Sequence, residues 1–444
     1  MNRKLHGVRV PHRKNTAELA AVRLSPPETV TIPMSMHIGA PAKPVVQAGD
    51  EVRVGQLIAE AGGFVSSPIY ASVSGKVKKL GELLGSNGRS MPAVILESDG
   101  LMTPFEGIRP PKLETLQDFL AAVRDSGAVG LGGAGFPTAV KLSVKDLSQI
   151  RAVIINGAEC EPYITSDTRT MLDRSDDMME GARLVQKFLQ VGRLIFAIEN
   201  NKPKCIEKFR ALTAKESGME VRALASQYPQ GAEKVLIYHT TGGVVPEGKL
   251  PIDAGAIVLN CTTLALIGQY CRTGMPLVEK CVTVDGSAVK EPKNVIVPIG
   301  MRMQDVFDAC GGFASEPGKV LYGGPMMGIA VPDLEQPILK STNAILAFSQ
   351  KDSVLPEPTA CIKCGRCIAH CPLRLMPADI EAAYTLGKVE ALEALKVNLC
   401  MECGCCSYGC PAHRPLVQTN KLAKAQLAAW QKLRREQAEK EAVQ

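Results

Sequence analysis

Eight of the chain's fifteen cysteines fall into two copies of a single spacing, C-x2-C-x2-C-x3-C-P, in CIKCGRCIAHCP and CMECGCCSYGCP near the C-terminal end. The first copy holds Cys361, Cys364, Cys367 and Cys371; the second holds Cys400, Cys403, Cys406 and Cys410. Three thiolates this closely spaced can wrap a turn around one small inorganic cube. The fourth is carried away by the proline that follows, whose missing N–H and fixed φ end the wrap. Without a secretion signal, so many cysteines argue for metal ligation in a reducing compartment, not for disulfides. Any fold for this chain must therefore bring two cysteine runs together around metal.

The spacing is that of bacterial ferredoxin runs, in which the fourth cysteine ligates the other cluster. That resemblance implies two [4Fe–4S] clusters with crossed ligation. One takes Cys361, Cys364, Cys367 and Cys410; the other takes Cys400, Cys403, Cys406 and Cys371. Gly365 and Gly404 leave room for backbone amides near the sulfides. A pair of zinc sites is the alternative, although zinc proteins usually join two two-cysteine knuckles. Cys405 is off the ligand spacing and reads as a spare thiol. Cys160, Cys205, Cys261, Cys271, Cys281 and Cys310 are scattered singly, as small core hydrophobes are.

The remaining bulk properties exclude several classes. Hydrophobic residues at 45% and charged residues at 22% describe a folded chain. The net charge of +6 is mild, and no stripe of Lys and Arg interleaves with aromatics, so nucleic acid is not an expected partner. The basic N-terminus MNRKLHGVRVPHRKN has no apolar core of a signal peptide. No apolar run approaches the length of a membrane span, so membrane contact is expected only through partners.

Along the chain, residues 30–100 show short Val/Ile-rich runs broken by Gly49, Asp50, Gly55, Ser74 and Gly75, an all-β pattern. Their spacing resembles the barrel-sandwich hybrid of lipoyl and biotinyl carriers. The expected carrier lysine is missing from GGFVSSPIYA, which leaves a structural or docking role. Residues 113–250 alternate helical and strand patterns, an α/β core. Leu116, Phe119, Leu120 and Val123 share one helical face, and RAVIING and RLIFAIEN read as buried strands. Residues 278–330 resemble a soluble-ligand-binding β-grasp unit ending in the glycine-rich YGGPMMG. Between the cysteine motifs, the spacer reads as two short helices broken near Gly387, and the whole resembles an α-helical ferredoxin.

Two further segments carry chemistry. GAVGLGGAGFPTAVKL places Gly130, Gly132, Gly133 and Gly135 before a helix, where side-chain-free amides can face a phosphate. It is neither a dinucleotide G-x-G-x-x-G nor a Walker loop, and a tight structural turn accounts for it nearly as well. INGAECEPYITSDTR crowds Asn156, Glu159 and Glu161 into a strand-end turn stopped by Pro162. Such a set suits a polar heterocycle and a ribose; an Asx turn with solvated acids is the plain alternative.

Together GLGGAGFPTAVK, NGAECEP, YPQGAEKVL and LNCTTLALI resemble, in order, the flavin and nicotinamide motifs of the NADH-binding subunit of respiratory complex I. With the β module, MHIGAPAKPVV, AVKEPKN, YGGPMMG and the cysteine pair, the chain resembles over nearly its full length the C subunits of Rnf ion-translocating ferredoxin:NAD oxidoreductases. The resemblance implies FMN cradled by Gly130, Gly132, Gly133 and Gly135, with Lys141 near its phosphate and Asn156 holding it. It implies Phe136 stacked on NADH, and Glu159 and Glu161 at the nicotinamide end as the catalytic pair. Tyr228, Gly231 and Glu233 would line the pocket, and Asn260 and Thr263 would complete it. Complex I subunits carry an extra acid where this chain has Ala158, so hydride geometry is expected to differ there.

The implied organisation is a multidomain α/β and β chain: a barrel-sandwich hybrid over 1–112, an FMN/NADH-binding α/β domain over 113–265, an SLBB-like β-grasp module over 266–354, a double-cluster ferredoxin domain over 355–416 and a helical tail over 417–444. The implied partners are membrane and electron-transfer subunits, with ferredoxin reached indirectly, at the cytoplasmic side of the membrane. The implied reaction is hydride exchange between NAD(H) and FMN, with single electrons relayed by the clusters and coupled to Na⁺ or H⁺ movement. A soluble reductase feeding cobalamin or proline reductase, and a non-catalytic cluster scaffold, are the alternatives.

Overall fold

The structure, a computed structural model, describes residues 5–86 and 88–443. Its N-terminal β unit consists of two small sheets. Thr29–Pro33, Ser90–Ser98, Gly75–Leu84 and Glu51–Val52 form one, in that spatial order, and Lys43–Pro44, Leu57–Glu60 and Ile69–Tyr70 form the other. Period-two alternation sends Val30, Ile32, Val94 and Leu96 inward, where they meet Val52, Ile58, Ile69 and Val77. The segment where a carrier would display its lysine is instead a joint. Lys340, from a distant part of the chain, buries its ammonium there and donates to Ser67 Oγ (3.0 Å), the Pro68 carbonyl (2.6 Å) and the Gly127 carbonyl (3.0 Å).

The expectation that residues 1–112 form one unit differs from what the start of the chain does. The strand Val22–Arg23 leaves the β unit and pairs, parallel, with Lys293–Pro298. Val8 exchanges backbone hydrogen bonds with Tyr228. The residues between them run as a strap over the α/β core.

That core is a parallel four-stranded sheet in the order Met219–Leu224, Leu194–Glu199, Ala152–Gly157, Ala256–Asn260. Alternate residues feed opposite faces: Val153 and Ile155 pack on one side, Ile154 on the other with Leu236 and Ile237 of the helix Glu233–Thr241. Burial of both faces is why these strands read as unbroken apolar runs. The helix Leu116–Asp125 starts at a Thr115/Asp118 capping box and buries Phe119, Leu120 and Val123. Because all the strands are parallel, the loops after Gly157, Glu199 and Asn260 leave from one edge, where ligands of such sheets bind.

The next unit is a six-stranded mixed sheet, Val22–Arg23, Lys293–Pro298, Glu279–Asp285, Ala344–Ser349, Pro317–Tyr322, Ile329–Ala330, covered by the helix Met303–Ala309. In the cysteine-rich part, Pro377–Thr385 and Val389–Ala394 are two helices separated by Gly387, whose φ of 65° a side chain would resist. The long helix Leu416–Val443 does not stand apart as a tail: Ala423, Leu427 and Trp430 pack with Ile380, Leu392 and Val397 of that spacer.

Candidate functional site

The glycine loop closes on itself through Gly130 N–H to the Phe136 carbonyl (2.9 Å) and Gly135 N–H to the Gly130 carbonyl (3.0 Å). The Thr263 hydroxyl pins its base, donating to the Val129 carbonyl (2.9 Å) and accepting from Leu131 N–H (3.0 Å). The exposed amides of Gly132, Gly133 and Ala134 have no partner among the described residues. A Cβ on Gly132 would lie 2.8 Å from Asn260 Nδ2, while above Gly133 nothing lies within contact. The result is a side-chain-free cradle with free N–H donors, which fits a planar, polar ligand carrying a phosphate. Lys141 reaches from the following helix to Glu233 (2.8 Å) and the Val258 carbonyl (3.1 Å). Phe136 is half-buried beside the cradle.

The β unit touches this cradle directly. Ile38 N–H donates to the Gly135 carbonyl at 2.9 Å, and the His37 backbone packs against Gly135. Asn260 caps the helix Cys261–Thr273, accepting from the Thr262 and Thr263 amides, and donates to Asp167 (2.7 Å). Asp167 in turn gives its backbone N–H to Glu159 (2.6 Å).

The acidic turn is held from inside the protein. Asn156 donates to the Gly231 carbonyl (2.9 Å) and accepts from Ala158 N–H (3.1 Å), and Gly231 N–H points at Cys160 Sγ (3.3 Å). Glu159, at φ 46°, turns its carboxylate onto the first amides of the helix Ser166–Asp173 and the Thr168 hydroxyl. Burial still pushes it above the ordinary carboxylate range. Glu161 places its two oxygens on Met326 N–H (3.0 Å) and Met327 N–H (2.8 Å), and burial raises it to about 7. The two acids expected at the nicotinamide are thus close together, with both carboxylates engaged by backbone amides.

Sequence reasoning missed what holds this turn. Lys14, in the N-terminal strap, donates to the carbonyls of Glu159 (2.7 Å), Glu161 (2.8 Å) and Ile164 (2.5 Å). Burial lowers its ammonium to about 8, against the pull of Glu159. Lys202 donates to the Ala158 carbonyl (2.5 Å) and lies 3.7 Å from the fully buried Glu199, which burial raises to about 7. The unexplained basic N-terminus was the one signal for Lys14; its partners lie some 150 positions away.

Tyr228 joins the turn to the cysteines. It is buried with Val8, Val10, Cys403 and Cys405, next to Cys160, Met326 and Met401. Cys371 from the first motif lines one enclosed, apolar cavity with Cys400, Cys403 and Cys406 of the second, together with Leu375, Val417 and Asn420. Leu375 N–H points at Cys371 Sγ (3.3 Å) and Asn420 Nδ2 at Cys400 Sγ (3.5 Å). Five cysteines line this apolar cavity, Cys405 among them; the four on the motif spacing, two of them with N–H groups aimed at their sulfurs, fit an iron–sulfur cluster. Cys367 and Cys410 meet beside Cys406, and the Arg414 guanidinium faces Cys361 and Cys410. Arg414 is held by Glu381 (2.6 Å) and the Thr359 carbonyl (3.0 Å). Cys405 is fully buried against the Tyr228 carbonyl.

Family profiles match the chain in four blocks: the RnfC barrel sandwich hybrid domain over residues 3–101, the Nuo51 FMN-binding domain over 123–269, the SLBB domain over 281–330 and the 4Fe-4S dicluster domain over 353–424. Among curated proteins, the chain is 42% identical to the C subunit of the Na(+)-translocating ferredoxin:NAD(+) oxidoreductase complex of Acetobacterium woodii, covering 95% of this chain and 96% of that one. It is 42% identical to the proton-translocating counterpart of Clostridium ljungdahlii, over 84% and 83% of the two chains. The C subunit of the ion-translocating oxidoreductase complex of Rhodobacter capsulatus is 36% identical over 94% and 81%. Among solved structures, a chain of the NAD+-reducing [NiFe]-hydrogenase in its H2-reduced state superposes with a TM-score of 0.50 at 20% identity, covering 71% of this chain and 63% of that one. That last likeness concerns the fold alone.

Proposed function

The chain belongs to the family of C subunits of ion-translocating ferredoxin:NAD(+) oxidoreductase complexes, and from that premise we propose how its own residues serve the family's electron transfer. It is an oxidoreductase subunit with an FMN domain and a two-cluster domain, one part of a multi-subunit complex. FMN, when bound, exchanges a hydride with NAD(H) and converts the pair into single electrons that [4Fe–4S] clusters can carry. The observation that carries the residue-level reading is continuity: Gly132 lies against Asn260, Asn260 bonds Asp167, Asp167 bonds Glu159, and two residues along the same turn Glu161 bonds Met326, which faces Gly404 of the second cysteine motif.

In this reading the free amides of Gly132 and Gly133 receive the flavin, with Gly130 and Gly135 shaping the loop. Lys141 and Glu233 form a charge pair at its phosphate side; Asn156, Tyr228 and Gly231 form the wall; Asn260 and Thr263 hold the loop base. Phe136 is the stacking face for NADH. The turn bearing Glu159 and Glu161 borders the nicotinamide end, and its carboxylates keep the turn's shape by capping amides. Lys202 donates to the Ala158 carbonyl, at the position where complex I subunits carry an acid. Cys371 completes the ligand set of Cys400, Cys403 and Cys406, and Cys410 completes that of Cys361, Cys364 and Cys367.

Among the described residues no helix is long and apolar enough to cross a membrane. In this reading ion passage falls to partner subunits, and the chain is assigned to the cytoplasmic face, where NADH and ferredoxin are found. Anaerobic purification tests the reading. The protein should carry about eight irons, acid-labile sulfide, and FMN that bleaches on adding NADH. Clusters without flavin would reject the hydride half; zinc in place of iron would reject the whole.

A further inference from the structure

The glycine-rich turn at residues 322–328 belongs to the β-grasp unit, yet it stands between the acidic turn and the second cysteine motif. Its Met326 and Met327 amides bind both oxygens of Glu161. On its other side the Met326 carbonyl faces Gly404, so closely that a Cβ there would lie 2.9 Å from that oxygen. Met326 also packs with Tyr228, Cys403 and Cys405. Gly324 is buried beneath the carboxylate, and a Cβ on it would lie 2.2 Å from Glu161 Oε2. Glycine at 324 and glycine at 404 thus allow one thin layer of backbone to separate the flavin-side turn from the cluster.

We propose that Glu161 is a positioning residue: by gripping the Met326 and Met327 amides it sets the distance from the flavin pocket to the cluster of Cys371, Cys400, Cys403 and Cys406. A carboxylate is suited to this, because it is acceptor-only and can hold two N–H groups at once. Glutamine offers a single acceptor oxygen, so one amide loses its partner. The grip joins two units far apart in sequence, and loosening it lets the cluster unit shift against the flavin unit without disturbing the cradle at Gly130–Gly135. The inference rests on the flavin and cluster assignment made above, and its test is separable from that assignment.

Two measurements decide it, on the full chain purified with its cofactors. The first is native-state amide exchange, which does not depend on turnover. Glu161→Gln should speed exchange, by about tenfold or more, at whichever of the Met326 and Met327 amides loses its acceptor, as loss of a hydrogen bond to a charged group implies. Gly324→Ala, which pushes the carboxylate off the turn, should do the same. The second is stopped-flow spectroscopy that separates flavin bleaching by NADH from cluster reduction. In both variants the flavin-to-cluster step should slow by about tenfold or more, since displacements near 1 Å carry penalties of that size. The NADH-to-flavin step should fall by less. The idea is overturned if exchange at the two amides is unchanged, if the cluster step keeps its wild-type rate, or if the hydride step slows as much as the cluster step. The last result would make Glu161 a nicotinamide contact. Wild-type flavin that fails to bleach with NADH would sink the functional reading instead.

Discussion

The two cysteine motifs share one spacing and live in different surroundings. In the second, Cys403 and Cys406 are buried, Cys405 is wholly so, and the run is wedged against Tyr228 and Met326 on the flavin side. In the first, Cys361 and Cys364 are exposed, Ile362 is 68% exposed, and residues 354–366 lie open on the surface. Sulfur–iron clusters respond to solvent and to N–H groups near their thiolates. Identical spacings therefore need not be equivalent: in the proposed reading the buried site would receive electrons from the flavin and the exposed one would exchange them with a partner subunit.

The largest effect should come from breaking either site. Cys403→Ala is expected to remove the second cluster and cut NADH-driven reduction of the first by about a hundredfold or more, an effect of the size that misplacing a reacting group produces. Cys361→Ser should leave the second cluster reducible by NADH while delivery to external acceptors fails. Iron content with electron paramagnetic resonance of NADH-reduced samples reads both, and the opposite pattern would reverse the order of the sites.

A slower probe of the same asymmetry is chelation. An iron chelator should strip the exposed cluster first, with the buried one lost only on local unfolding, about tenfold slower or more. Simultaneous loss would mean that the burial difference has no kinetic consequence.

The N-terminal strap supports the buried side. Lys14→Met leaves the carbonyls of Glu159, Glu161 and Ile164 without their shared donor, and should cost about 2 kcal/mol of stability. It should also bring the second cluster's chelation rate toward that of the first. Thermal unfolding with the same iron-release assay would check this; Lys14→Arg should recover part of the loss.

The smallest effect concerns pH. Burial raises Glu161 to about 7 against the pull of the Met326 and Met327 amides, so the folded protein takes up a proton there between the unfolded value and about 7, and the ionised carboxylate that grips both amides prevails above it. Its stabilising contribution is complete below the unfolded value near 4.5 and fades as pH climbs through about 7. Wild type should lose stability relative to Glu161→Gln over that window, by about 1 kcal/mol or less because the side chain is partly open to water. Thermal midpoints at pH 5, 6, 7 and 8 would show it; a constant difference would rule it out.

What was legible from sequence follows local rules. The cysteine spacing announced a two-cluster unit, because a wrap around a cube involves near neighbours. Unbroken apolar runs announced Ala152–Gly157 and Leu194–Glu199, a helical period announced Leu116–Asp125, and the glycines at 130–135 announced a cradle. The helix break at Gly387 was legible for the same reason. The long helix beginning at Leu416 was not legible as part of the cluster unit, since its packing partners Ile380 and Leu392 precede the second motif.

By itself, then, the sequence carried the kinds of unit present, the doubled cysteine spacing proposed to hold the clusters and the glycine loop proposed to receive the flavin, since each is written in residues only a few positions apart. Only the tertiary structure decided where the two acids of the turn spend their oxygens, that Lys14 holds that turn, and which cysteine run is buried. Burial and hydrogen-bond partners are supplied by segments 100 or more positions distant, as with Lys14 to Ile164 and Glu161 to Met326. No local pattern of residues can specify which distant backbone will arrive beside a carboxylate.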